Sequence, residues 1–208
     1  MNEVELLRSS GLEVPETIKR APWLLGVPSM LLAAGSVANA WVSSLHSVMP
    51  AVVGVAEGLA WGLYLRAVAQ SSGGVERPSP ATAMGCMVLA FVAMQYGWVA
   101  APAVVILWLL PIFDYATLYG EGVDAALGGV IDTLKRAPLM WLGVNLGLIL
   151  MLPMLSVALS LPMSLYTHYE SRAGAWLTEL SGQVLVGPLV HVAFVLRARL
   201  FLGINGDP

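Results

Sequence analysis

An all-α integral membrane bundle is the fold class this sequence predicts, and three observations predict it. Of its 208 residues, 58% are hydrophobic and only 11% charged, where soluble domains carry about a quarter charged. Mean hydropathy is +0.78, and several apolar runs reach the roughly 20 residues that cross about 30 Å of hydrocarbon as helix. The 21 glycines and 13 prolines suit helices in lipid better than helices in water. The lipid bilayer is therefore the first partner the composition implies. The formal charge of -3, with no basic patch interleaved with aromatics, argues against a nucleic-acid partner.

The chain repeats itself. Glu16-Thr17-Ile18-Lys19-Arg20-Ala21-Pro22 matches Asp132-Thr133-Leu134-Lys135-Arg136-Ala137-Pro138, and each copy leads into two apolar stretches that close on Leu-Arg-Ala (65–67 and 196–198). We expect two related units, residues 1–70 and 113–208, joined by a linker and helical hairpin or long helix over 71–112. Each unit should open with an amphipathic helix lying on the membrane surface. In the second unit Val123, Leu127, Val130, Ile131 and Leu134 share one face. In the first, Leu6, Leu7, Leu12, Val14 and Ile18 supply the apolar contacts, with Gly11 and Pro15 expected to interrupt the helix. Pro22 and Pro138 sit where a first helical turn tolerates proline.

Spans are expected at 22–46, 48–69, 138–163 and 181–202. Residues 82–113 would make a helix of about 48 Å, long for one crossing and short for two. Two crossings, turning near Tyr96-Gly97-Trp98, place every lysine and arginine except Arg172 on one side, as cytoplasmic charge bias requires. Six spans with a cytoplasmic N-terminus follow. The alternative is five spans with a long tilted third helix. No removable signal peptide is visible, so the first span is expected to direct insertion.

Polar groups at membrane depth are the candidate functional residues. Glu57 lies near the midplane of its span, and His191 occupies a similar depth in the last one, which predicts a paired site that Asn145, Asn39 and Gln183 extend. Gly54, Gly58 and Gly62 recur every four residues, a stripe that lets a neighbouring helix approach closely. Gly143 and Gly147 offer a second stripe, for packing within the bundle or for self-association.

Signals for catalysis are thin. His46, His168 and His191 sit in three different segments without His-Glu-x-x-His spacing, and neither a phosphate-cradling glycine loop nor a G-x-S-x-G elbow occurs. The lone Cys86 cannot form an intrachain disulfide. No catalytic residue, metal site or cofactor is expected. Asp114, after Leu110-Pro111, reads as the end of a span.

The order of a surface helix ending in Lys-Arg-Ala-Pro, a span, a second span closing on Tyr64-Leu65-Arg66-Ala67, and Leu110-Pro111 leading into another surface helix resembles a group of bacterial polytopic proteins. These include the multi-pass membrane region of some glycerophosphoryl diester phosphodiesterases. The resemblance covers most of the chain and implies a module of the bacterial inner membrane. It carries over no catalytic residue, because the soluble phosphodiesterase barrel is absent. The expected role is a non-enzymatic subunit or accessory of a larger membrane assembly or transport system, with other membrane subunits or a second copy as partners. The alternative is an autonomous small transporter or channel using Glu57 and His191. A membrane-embedded enzyme acting on lipid through the His168 to Arg172 cluster stands third.

Overall fold

The computed structural model describes residues 3–42, 48–73, 80–95, 101–119, 123–166 and 172–206, and among these every regular element is helical. Three helices are long and apolar enough to cross a bilayer: Met49–Ser71, Pro138–Pro162 and Ala173–Asn205. A fourth crossing is counted if the pair Glu3–Arg20 and Pro22–Ala38, bent by 101°, is taken as one. The expected turn at Tyr96-Gly97-Trp98, His46, His168 and the side chains of Asn39, Cys86 and Arg172 lie outside the described residues.

Helix α1 (Glu3–Arg20) runs without a break through Gly11 and Pro15, contrary to the interruption expected there. The carbonyl that Pro15 deprives of a donor belongs to Gly11, an exposed residue, so the lost bond falls on the open side of the helix. Leu6, Ser10, Val14 and Thr17 are buried at helical spacing where α1 packs on the last helix. Leu7 and Leu12 are instead exposed, on different sides of the helix. The chain then turns at Ala21 into a 3-10 segment, Pro22–Gly26, with proline at its start as first-turn geometry allows. Helix α2 (Val27–Val42) follows.

Helix α3 (Met49–Ser71) ends at Ser72, with Gly73 at φ 89° in the left-handed conformation that glycine adopts without strain. Its glycine stripe lies against the backbone of α4 (Pro80–Gln95). A methyl group at Gly58 would sit 2.5 Å from Val88 Cα, and one at Gly54 2.9 Å from Val92 Cα. Gly62 faces Met84, so the two helices run antiparallel and their backbones nearly touch. The second stripe behaves differently. A methyl group added at Gly143 or Gly147 would meet no atom of another described element within 4 Å, so no described helix packs closely on this stripe.

Helix α5 (Ala101–Leu109) is short, and it leads through α6 (Ile112–Asp114) and a π-helical turn, Tyr115–Tyr119, into the surface helix α7 (Val123–Arg136). Met87 of α4 and Trp108 of α5 line the same small cavity. One continuous helix would separate them by about 30 Å. Residues 80–95 and 101–109 are therefore two separate helices with Met87 and Trp108 brought together, rather than one continuous helix. On α7 the buried face is Ala126, Val130 and Thr133, while Leu127 and Ile131 are exposed together on another face.

Helices α8 (Pro138–Tyr166) and α9 (Arg172–Asn205) pack along each other. Helix α9 also touches α1, α2, α3 and α7, and so forms the centre of the bundle. Both heptads lie near its C-terminal end. Thr17 accepts a bond from Arg199 Nε at 2.8 Å, and Thr133 donates to Asn205 at 3.0 Å.

The α2 contact with α9 answers a defect that α9 builds into itself. Pro188 has no N–H to give to Val184, four residues back. Ser29 Oγ of α2 donates to that Val184 carbonyl at 2.7 Å. Gly187 makes the approach possible, since any side chain there would collide with the Ser29 backbone. An unmatched carbonyl facing hydrocarbon is costly, and a neighbouring helix's serine is a common remedy. Ser29→Ala is therefore expected to lower stability by about 1 kcal/mol. In a Pro188→Ala background, where the intrahelical bond returns, the same change should cost less than half as much. Unfolding in mixed micelles measures both arms of this cycle, and equal costs in the two backgrounds would refute the account.

Candidate functional site

The polar side chains predicted to form one site occupy three places. His191, 1% exposed, is hydrogen-bonded through Nδ1 to the Tyr64 hydroxyl at 2.7 Å, inside a box made with Trp61 and Phe194. It does not meet Glu57. Glu57 and Tyr64 are seven residues apart on the same face of α3, about 10.5 Å along its axis. The register of α9 brings His191 level with the tyrosine rather than with the carboxylate. The expected Glu57–His191 pair is thus replaced by a tyrosine–histidine pair that the sequence reading passed over.

Asn145 belongs to a second cluster, also missed. Its carboxamide oxygen accepts from Arg197 at 2.6 Å, and its nitrogen donates to the Trp141 carbonyl at 2.8 Å. Arg197, 3% exposed, forms a buried ion pair with Asp114: Nε to Oδ1 at 3.1 Å and a terminal nitrogen to Oδ2 at 2.7 Å. Its guanidinium also donates to the carbonyls of Trp108 at 2.7 Å and Leu110 at 3.5 Å. Trp141 Nε1 takes the remaining carbonyl, Leu109, at 2.8 Å. The rings of Trp108 and Trp141 flank the cation, 4.5 and 5.0 Å from its centre. Asp114 is therefore the buried partner of an arginine and more than a mark of where a span ends. This cluster is buried, with both charges and every guanidinium N–H engaged and Trp108 Nε1 alone left without a partner among its described side chains, and it acts as a structural knot.

The third place is open. Glu57 lies on a cleft of about 540 Å³ between α2, α3, α4 and α9. Gln95 Nε2 donates to its Oε2 at 3.3 Å. Gly35 of α2 supplies the room, since a methyl group there would stand 2.7 Å from Glu57 Oε1. Gln183, one of the three amides expected to extend the site, does reach this cleft. Its oxygen accepts from Ser36 Oγ at 2.5 Å and its nitrogen donates to Glu179 at 3.2 Å. Trp61 and Phe91, stacked at 6.2 Å, form the apolar wall. A half-buried carboxylate, two carboxamides and a hydroxyl around a cleft of this size offer mainly hydrogen-bond acceptors. That chemistry suits a proton or a small cationic group rather than an anion.

Among the described residues, no three His, Cys, Asp or Glu side chains converge as a metal site would require. No protein family, curated protein or solved structure matches the chain, so the functional argument rests on this geometry.

The buried cluster makes a sharp prediction. Arg197→Met leaves the Asp114 carboxylate buried without its cation and is expected to cost about 3–5 kcal/mol. The double variant Arg197→Met/Asp114→Leu should be more stable than Arg197→Met alone. It should stay below the native protein, because the α5 carbonyls remain without donors. Unfolding titrations in mixed micelles give the ranking, and a double variant weaker than the single would show that the pair is not the source of the cost.

Proposed function

We propose that this chain is by itself a small membrane transporter, in which the cleft at Glu57 takes up a proton or small cation from the side opposite the basic helix ends. The observation that carries the reading is the contrast between two polar groupings in one bundle. The Arg197 cluster is buried beside a cavity of only about 40 Å³, whereas the Glu57 cleft holds about 540 Å³. An ionisable group kept at membrane depth beside an accessible cleft is an arrangement suited to binding and release.

In this reading the chain crosses the bilayer six times in two related units. Helices α4 and α5 form the third and fourth crossings, and the ends bearing Arg20, Arg136 and Arg199 are cytoplasmic. The docking of Thr17 and Thr133 near one end of α9 supports a shared side for both heptads. Single cysteines at positions 20 and 136 are expected to react with an impermeant maleimide from the same face of sealed vesicles. Labelling from opposite faces would overturn the arrangement.

The functional test uses purified protein in proteoliposomes holding a pH-sensitive dye. Proton or cation flux is expected from the native protein, and Glu57→Gln should reduce it at least tenfold while leaving unfolding temperature within a few degrees. Unchanged flux in the variant, or none from the native protein, would overturn the reading.

A second reading, an assembly subunit working through a partner, is favoured by α8. Only 6% of its most apolar window is buried within the chain, and Leu146, Leu150, Met154 and Val157 are exposed beside the open Gly143 and Gly147.

A further inference from the structure

A second cleft, distinct from the one at Glu57, opens between the outer halves of α8 and α9 and holds about 830 Å³. Its polar lining comes from Ser156, Ser160 and Ser164, spaced every four residues on α8, and from Thr178, Glu179 and Gln183 on α9. The donors on this surface are largely committed. Ser160 Oγ donates to the Val157 carbonyl and Ser164 Oγ to the Leu161 carbonyl, each at 2.7 Å. Gln183 spends an N–H on Glu179. With their protons directed into the helix backbone, the serine hydroxyls offer the cleft chiefly lone pairs. An ionised Glu179 is acceptor-only. Among the described residues that line the cleft there is no lysine, arginine or histidine. Trp176 adds an aromatic surface, 37% exposed, and Val157 and Leu161 add apolar ones.

From this pattern we infer that the α8–α9 cleft binds an organic ammonium group, with Glu179 as its counter-charge, the serine oxygens as further acceptors and Trp176 as the ring against which the cation packs. Each part has a separate reason. A carboxylate flanked by acceptors disfavours anions and neutral acceptors alike. An exposed indole face attracts cations bearing alkyl groups. The exposed apolar residues fit the carbon skeleton such a cation carries. Glu179 lies 20 residues, about 30 Å, from Arg199 along α9, so the two ends of one hydrocarbon thickness separate the cleft from the basic end of the bundle. At that depth an ammonium group has two sources, a free amphipathic cation or the headgroup of an ethanolamine or choline lipid. The chemistry of recognition is the same for both. The inference goes beyond the transport reading and does not need it, because the binding rests on Glu179, Trp176 and the α8 serines, none of which lines the Glu57 cleft, Gln183 alone being common to both.

The test is calorimetric titration of the full chain in nanodiscs of phosphatidylglycerol with benzyltrimethylammonium. The uncharged isostere 2,2-dimethylpropylbenzene is titrated in parallel. Saturable binding of the cation alone is expected, weakened at least tenfold in Glu179→Gln and about fivefold in Trp176→Leu, with circular dichroism confirming that both variants are folded. Nanodiscs containing phosphatidylethanolamine separate the sources. A raised apparent Kd there assigns the cleft to a lipid headgroup, and an unchanged one assigns it to a free cation. Either result upholds the ammonium site. Equal binding of the uncharged isostere, binding by Glu179→Gln within twofold of native, or no saturable binding would overturn it. Glu57→Gln should leave this Kd unchanged, so loss of flux and loss of ammonium binding report on separate proposals.

Discussion

The guanidinium of Arg197 is the point on which the inner half of this bundle depends. Helix α5 stops at Leu109, and the Leu110-Pro111 bend leaves its last carbonyls with no helical donors. In water such groups would be solvated. In a membrane they must find protein. One arginine on the central helix answers the carbonyls of Trp108 and Leu110 and the Asp114 carboxylate together, with Trp141 answering that of Leu109. The charge is tolerated because Asp114 neutralises it, two aromatic faces sandwich it, and Asn145 fills the remaining donor direction. A broken helix, a turn into a surface helix and the docking of α8 on α9 all meet in that single contact set.

The same logic recurs at Pro188 in a milder form. A helix that forfeits a backbone bond is mended from its neighbour, by a serine there and by an arginine here. Both repairs fix the register of one element against another, because a hydrogen bond to a specific carbonyl permits no sliding along the helix axis. The outer half of the bundle is built on different terms. Around Glu57 and along the serine face of α8 the polar groups border clefts, and there the packing leaves space that the inner half fills.

Much of the architecture was legible in the sequence, and the reasons are local. Composition and run length mark the apolar helices. A four-residue glycine period on one helix has only one structural use in lipid, close packing, and α4 takes that role. The repeated heptads mark the ends of both surface helices. What was not legible depended on register between helices distant in the chain. The depth of Glu57 and of His191 was read from span ends, but α9 is seated against α2 by Gly187 and Ser29, and this seating matches His191 to Tyr64. Arg197 was read as one of several charges at a helix exit, since nothing in its own segment shows that it turns inward. Asp114, 83 residues away, carried the complementary signal, and the pairing needed the fold. Leu7, Leu12, Leu127 and Ile131 were read together with Leu6, Val14 and Val130 as apolar contacts of amphipathic helices, because spacing alone does not separate the residues that meet protein from those left exposed.

The contact between Arg199 and α1 has a consequence for how the chain is assembled during synthesis. Arg199 reaches Glu13 at 2.9 Å and Thr17 across 182 positions of sequence. Helix α1 precedes α9 in the chain, so during synthesis it has chiefly the 3-10 segment and α3 to pack on until α9 is made. A nascent chain arrested before Arg199 would leave Glu13 and Thr17 without the guanidinium that fastens them to the central helix.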